Sequence, residues 1–232
     1  MVKTAKSIAP AKPVAPPPLR RAVSRGPFYG AWKGHLEASR VANVQQPWAT
    51  AIMYCKKTIE NRMRPFHDKR WVLILASKSE GTRAKWDGEV ASLRAKIAAD
   101  PIPDWERDCH HRMVDGLARK DYPRGGVIGA ALVDGCVDAD HGENLSSFED
   151  NPWLRRGQGG YGWLIKRVIP FSRTIPLRGS QSSYVFYAKH RERHGILDDE
   201  ILRELSHHDP SFSLAAWPAI RRADEADEND NQ

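Results

Sequence analysis

Residues 46–78 read QPWATAIMYCKKTIENRMRPFHDKRWVLILASK, and this stretch decides the fold. It begins with a short apolar segment, Trp48–Tyr54, preceded by Pro47, a residue that suits the first turn of a helix. It ends in an apolar run, Trp71–Ala76, that predicts a buried strand. Because Val72 and Ile74 alternate with apolar neighbours, both faces of this strand should be covered. A dense polar cluster lies between the two elements and consists of Lys56, Lys57, Thr58, Glu60 and Arg62.

The chain has 232 residues, which is long enough to form a hydrophobic core. Its formal net charge of +7 is mildly basic and suits a polyanionic partner. Residues 1–25 are rich in Ala, Pro and Lys and contain no acid, whereas residues 221–232 are acidic. Both segments are predicted to be disordered tails around a single domain spanning residues 26–220. The N-terminal tail is either a basic arm that attracts nucleic acid or a plain solvated segment.

Three cysteines do not form a paired framework, and none lies in a CxxC motif, which predicts reduced thiols in a cytoplasmic protein. No apolar run approaches the length of a membrane span, and the N-terminus lacks the apolar core of a secretory signal. We therefore expect no membrane partner. Histidines cluster at Cys109-His110-His111 and at His190 and His194, but neither set completes a metal-ligand pattern, so no metal or other cofactor is predicted.

Residues 27–45 suggest a helical stretch, and residues 80–120 suggest an inserted helical hairpin. Its two apolar stripes are Trp86, Val90, Leu93, Ile97 and then Trp105, Cys109, Met113, Leu117. Later strands are predicted at Val127–Val133, at Tyr161–Ile169 with Pro170 as its boundary, and at Tyr184–Tyr187, followed by a helix over Asp198–Leu205. This order predicts an α+β fold: a small, partly open β-barrel with a mixed sheet, flanking helices and the inserted hairpin.

Several of these segments, in this order, resemble the ASCH (activating signal cointegrator homology) domain family. The family signature G-x-K-x-x-E-x-R falls on Cys55, Lys57, Glu60 and Arg62, so its last three positions match and its first does not. The flanking QPWA, the strand ending in Ala-Ser-Lys, and YPRGGVIGAALVDGC are also similar to the family, and YGWLIKRVIPFSRTIPLRGSQSSYVF more faintly so. The resemblance covers residues 45–188 with 80–120 as an insertion.

The resemblance implies a PUA-like β-barrel with a cleft lined by the Lys, Glu and Arg of the signature. Members are thought to bind RNA or other nucleic acid, some small members remove the acetyl group from acetylated cytidine nucleosides, and ribonuclease activity occurs in the family. The amidohydrolase type uses Lys, Thr and a later Glu, with Thr at the position occupied here by Glu60. A carboxylate does not replace a hydroxyl nucleophile.

From the residues themselves, Glu60 and Arg62 should share one face of a strand that follows the helix, with Lys57 meeting Glu60 across the turn. Such a set is either a ligand-binding cleft or a salt-bridge cluster that only closes the barrel; the resemblance favours the cleft. The candidate ligand-binding residues are Lys57, Glu60, Arg62, Trp48, Lys69, Lys78 and Arg178, with Ser77, Arg70, Gln181 and Trp71 as secondary ones.

Three functions follow from these observations. The favoured one is a nucleic-acid-binding module, with RNA preferred over DNA. The alternative is an enzyme, a hydrolase acting on a modified nucleoside such as acetylated cytidine or a ribonuclease, in which Lys57 is the base or nucleophile activator and Glu60 the acid/base. The third is an interaction protein whose residues 80–120 dock a protein partner through an exposed apolar stripe.

Overall fold

The computed structural model describes residues 26–79, 81–118, 122–141, 145–148, 150–177, 185–186 and 197–210. The predicted tails, 1–25 and 221–232, and the candidates Arg178 and Gln181 lie outside these residues. The helices are α1 Tyr29–Ala38, α2 Trp48–Tyr54, α3 Arg83–Ala99, α4 Asp104–Ala118 and α5 Leu197–Leu205. The strands are β1 Arg40–Val44, β2 Ile59–Arg62, β3 Lys69–Ala76, β4 Gly126–Asp138, β5 Tyr161–Pro176 and β6 Val185–Phe186, and a short 3-10 helix spans Leu145–Phe148.

The strands form one mixed sheet in the order β2-β5-β4-β3-β1-β6, which curls into a half-barrel. Strand β1 is parallel to β3, and the remaining pairs are antiparallel. The chain leaves β1, forms α2, adds β2 at the far edge and then returns to the sheet as β3. The predicted α+β class with a mixed sheet, flanking helices and an inserted hairpin is therefore confirmed.

Strand β3 is covered on both faces, as its double apolar pattern predicted. Trp71, Leu73 and Leu75 pack in a cluster with α1 and α5. Val72, Ile74 and Ala76 pack in a second cluster with α2. Because successive side chains of a strand point to opposite faces, one run of six apolar residues serves both sides of the sheet.

Two parts of the sheet differ from the prediction. Strand β1 occupies the end of a stretch that was predicted to be helical, and it pairs with β3 from Arg40↔Val72 to Val44↔Ala76. Strand β5 does not end at Pro170. Pro170 lies opposite Gly129, where the β4–β5 register is interrupted, so the strand continues past a residue that cannot donate a ladder hydrogen bond.

The inserted hairpin is formed by α3 and α4. Helix α3 begins at the Thr82 cap, whose hydroxyl accepts a hydrogen bond from the Lys85 backbone N–H at 3.3 Å. Its predicted stripe is buried, and it packs in a third cluster with Cys55, Ile59 and Trp153. This stripe is consequently not exposed for docking. Because the expected docking surface of α3 is buried, binding of a protein partner by residues 80–120 stays a prediction that the structure does not support.

The predicted stripe of α4 is wrong. Its buried face carries Glu106, His110 and Val114, whereas Met113 is 37% exposed; the Leu117 side chain lies outside the described part of the chain. The buried carboxylate is neutralised by Lys56, whose Nζ lies 2.6 Å from Glu106 Oε1. Because Lys56 pairs with the buried Glu106 carboxylate, α4 can bury a partly polar face, which a search for hydrophobic stripes does not find. In the described ranges, no helix is both long enough and apolar enough to cross a membrane.

Helix α2 lies very close to the sheet at Gly129 of β4. A Cβ at Gly129 would meet the Met53 sulfur and would lie 2.6 Å from the Ile169 carbonyl oxygen. At Gly88 on the surface of α3, by contrast, a Cβ would have open space.

We therefore expect Gly129→Ala to lower the free energy of unfolding by about 1–3 kcal/mol because the core is overpacked. Gly88→Ala, the matched control, should raise it by about 0.5–1 kcal/mol because alanine favours the helix. Chemical denaturation measures both. Equal effects of the two substitutions would contradict the close approach of α2 to the sheet.

Candidate functional site

The site begins at the turn after α2. The backbone N–H groups of Cys55 and Lys57 both donate to the Ala51 carbonyl, at 3.0 and 3.2 Å, and Lys56 adopts a φ of 49°. This left-handed residue turns Lys57 inward, while Lys56 itself reaches Glu106. The family pattern places Gly at Cys55, yet here the unusual backbone falls one residue later. Cys55 is fully buried in the third core cluster, and burial raises the pKa of its thiol to about 12.

Lys57, Glu60 and Arg62 come together as their spacing predicted. Lys57 Nζ lies 2.6 Å from Glu60 Oε2, and Arg62 Nε lies 3.1 Å from Glu60 Oε1. Lys57 Nζ also donates to the Ile59 carbonyl. The side chains of the three residues are 3%, 12% and 11% exposed, so the carboxylate is held between two cations in a nearly dry setting.

Arg62 is held on two further sides. Its Nη2 donates to the Asn43 carbonyl of β1 at 3.1 Å, and the guanidinium carbon lies 5.4 Å from the centre of a Trp163 ring. The arginine thus connects β2, at one edge of the sheet, with β1 near the other. A planar guanidinium held in this way is pre-oriented for a ligand's acceptor groups.

Burial and neighbouring charges oppose each other in this set. Burial lowers the pKa of Lys57, a shift that Glu60 opposes and that Arg62 and Arg155 reinforce. For Glu60, burial alone would raise the pKa, but the positive charges of Lys57, Arg62 and Arg155 outweigh it, so the pKa is lowered from its ordinary value. Glu60 is therefore ionised at neutral pH, whereas Lys57 loses its proton more readily than an exposed lysine.

These three residues line a cavity of about 440 Å³. Helix α2 contributes Trp48, and the inserted helix α3 contributes Glu89 and Lys96. The remaining lining residues are Asn43, Val44, Gln45, Asn61, Ser77, Trp153 and Arg155. The volume falls in the range of small-molecule pockets, and a single nucleotide fits that range.

Two tryptophans line the cavity. Trp48 is partly exposed, whereas Trp153 is only 1% exposed. The Trp48 indole Nε1–H donates to Glu89 Oε2 at 2.7 Å. This hydrogen bond fixes the indole ring against the cavity. A fixed aromatic ring at a cleft can stack on a planar ligand.

Other predicted residues lie elsewhere, which corrects the expectation that they line the cleft. Lys69 begins β3 at the end away from the cavity, is 64% exposed and lies 3.5 Å from Asp134. Lys78 is exposed beyond the end of β3, although its neighbour Ser77 does line the cavity. Arg70 pairs with Asp68 at 2.5 Å, and Trp71 is buried in the core.

Five lining residues were not among the predicted candidates: Glu89, Lys96, Asn43, Asn61 and Arg155. A signal existed for the first two: they are seven residues apart and flank the buried stripe of α3, so they share one face of the helix. No periodic signal marks Arg155, because it lies in an irregular loop.

No group of three or more His, Cys, Asp or Glu side chains that could hold a metal ion occurs among residues the structure describes. His110 of α4 is buried, and burial lowers its pKa to about 4. The three cysteines are free thiols. No known family model matches the chain, and no curated protein matches it in sequence.

Replacing Glu60 tests how strongly the buried ion pair stabilises the fold. We expect Glu60→Gln to lower the free energy of unfolding by about 3 kcal/mol, because Lys57 loses its buried counter-charge. Glu200→Gln removes one partner of the more exposed pair with Arg173, at 3.4 Å, and should cost less than about 1 kcal/mol. Equal losses in denaturation experiments would contradict the buried pair.

The same variant has a predictable pH dependence. Because the pKa of Glu60 is lowered below 4.5 in the folded state, its stabilising effect is present above pH 4.5 and is lost as the pH falls through the folded-state value. The difference in unfolding free energy between the wild type and Glu60→Gln should shrink below pH 4.5. A difference that stays constant into acid would contradict the lowered pKa.

Proposed function

We propose that this protein is a PUA-like module of the ASCH type that binds single-stranded RNA, with one nucleotide entering the cleft. The observation that carries the proposal is the position of Lys57, Glu60 and Arg62, the residues of the resemblance, on the wall of a cavity of about 440 Å³. A salt-bridge cluster that only closed a barrel would not need an adjoining cavity of this size.

The chemistry of the lining supports a nucleotide. Asn43 and Gln45 line the cavity with side-chain amides, a group that can donate to and accept from base edges, and Trp48 offers an aromatic face. Bases in a duplex are stacked and paired, so only an unpaired nucleotide could enter a cavity of this kind. The preference for RNA over DNA rests on the family resemblance.

The charge of the lining also suits nucleic acid. Lys57, Arg62, Lys96 and Arg155 contribute four cations, against the two carboxylates of Glu60 and Glu89. The chain as a whole has a formal net charge of +7, which adds long-range attraction for a polyanion.

Single-stranded RNA binding is tested with Arg62→Gln, which keeps a polar side chain but removes the charge. We expect the affinity for a mixed-sequence single-stranded RNA, measured by fluorescence anisotropy at low salt, to fall about tenfold, as loss of one charge-assisted contact implies. Arg64→Gln is the matched control, because Arg64 is exposed and outside the cavity lining. Its affinity should stay close to that of the wild type.

Binding by the wild type should also weaken with salt, because phosphate contacts release counterions. If the full chain does not bind RNA at low salt, the proposal fails. If Arg62→Gln and Arg64→Gln bind equally well, RNA does not use this cleft. Thermal unfolding of each variant checks that a loss of affinity is not a loss of fold.

A hydrolase is the second candidate because burial lowers the pKa of Lys57, as a lysine base requires, and Glu60 lies beside it. Glu60, however, stands where the amidohydrolase type has its Thr, and it is already held between two cations. Binding without hydrolysis is therefore favoured.

We expect the full chain to release no more cytidine from acetylated cytidine, and no more fragments from RNA, than the Lys57→Ala variant does. Chromatography of both reactions measures the products. Release by the wild type that Lys57→Ala abolishes would establish the hydrolase instead.

A further inference from the structure

The loop spanning residues 151–156, here termed the 151–156 loop, is held in place beside the cavity by several side chains. Asn61 fixes it twice: its Nδ2 donates to the Trp153 carbonyl, and its Oδ1 accepts from the Arg155 N–H, both at 2.9 Å. Trp153 Nε1 donates to Asp100 Oδ2 at 3.0 Å. These contacts tie the loop to β2 and to the end of α3.

Lys96 of α3 is bound to the same loop. Its Nζ donates to the Pro152 carbonyl, so the ammonium lies beside the segment that carries Arg155. Lys96 is half-buried, and its pKa is lowered by burial and then by the positive charges of Lys57 and Arg155. The positive charges of Lys96 and Arg155 therefore repel each other, and both side chains line the cavity.

Neither Lys96 nor Arg155 forms an ion pair with a carboxylate of the described chain, although Arg155 is close enough to Glu60 to help lower its pKa. Glu60 is held by Lys57 and Arg62, and Glu89 accepts the Trp48 indole hydrogen. The Arg155 side chain is exposed, and its guanidinium makes no hydrogen bond or ion pair with any residue in the described ranges. The loop is thus fixed at its backbone while its charged end is open to a ligand.

We propose that Lys96 and Arg155 form a phosphate-binding subsite, so that the cleft takes a phosphorylated nucleotide rather than a nucleoside. This inference rests on the proposed function, since it assigns the phosphate of the nucleotide that enters the cleft. Two cations that line one cavity and form no ion pair with a carboxylate of the described chain favour an anionic ligand, and a guanidinium binds phosphate oxygens in a forked geometry. The backbone of the loop is already ordered, so the ligand does not bear that entropic cost.

The inserted hairpin then has a binding role. Helix α3 supplies Lys96 to the phosphate and, through Glu89, fixes the ring of Trp48. The base would lie toward Trp48, Lys57 and Arg62, and the phosphate toward the 151–156 loop.

Calorimetric titration of the full chain with the common ribonucleosides, their 5′-monophosphates and inorganic phosphate tests the subsite. We expect the monophosphate of the preferred base to bind about tenfold more tightly than its nucleoside, the effect of charge-assisted contacts to one phosphate. The Lys96→Gln/Arg155→Gln double variant should lose this advantage and keep its affinity for the nucleoside. Arg94→Gln and Arg156→Gln, which remove neighbouring cations outside the cavity lining, should retain the advantage.

The outcomes separate the two proposals. If monophosphates bind no more tightly than nucleosides, or neither class binds, the subsite is overturned even where RNA binds. If inorganic phosphate alone binds as tightly as the monophosphates, the pair is an independent anion site and the inference is also overturned. If RNA fails to bind while monophosphates retain a Lys96- and Arg155-dependent advantage, the RNA proposal fails and the subsite stands.

Discussion

The buried ion pair between Lys57 and Glu60, with a distance of 2.6 Å, is the constraint on which the site depends. A lysine that is 3% exposed requires a counter-charge, and Glu60 supplies it only if α2 stops at Tyr54 and the chain turns at Lys56 into β2. Arg62, two residues after Glu60 and on the same face of β2, then contacts the same carboxylate. One electrostatic requirement thus couples the end of a helix, a left-handed turn and the edge strand of the sheet.

The inserted hairpin is built around that turn. The buried stripe of α3 packs on Cys55 and Ile59, which flank the ion pair, and α4 directs Glu106 at Lys56. The same packing brings Glu89 and Lys96 to the cavity, so the insertion completes one wall of the cleft. Under the proposed function, the hairpin would therefore contribute to ligand recognition as well as to the core.

Local patterns in the sequence were sufficient for the helix Trp48–Tyr54, for both faces of β3 and for the meeting of Lys57, Glu60 and Arg62, because each depends on residues near in sequence. Strand β1 was missed because its stabilising partner, β3, is parallel and lies beyond α2 and β2. The buried face of α4 was missed because its polar residues are matched by a distant lysine. Lys96 and Arg155 line the same cavity only because of the tertiary structure, and their spacing along the chain does not predict it.

The central claim is that RNA occupies the cleft, and photocrosslinking tests it most directly. A single-stranded RNA containing 4-thiouridine, irradiated with the full chain and mapped by mass spectrometry, should crosslink to peptides that carry Trp48 and the 151–156 loop. Both line the cavity beside Lys57 and Arg62. Crosslinks confined to residues 1–25, the most basic segment of the chain, would contradict the account and would assign RNA binding to non-specific attraction outside the cleft.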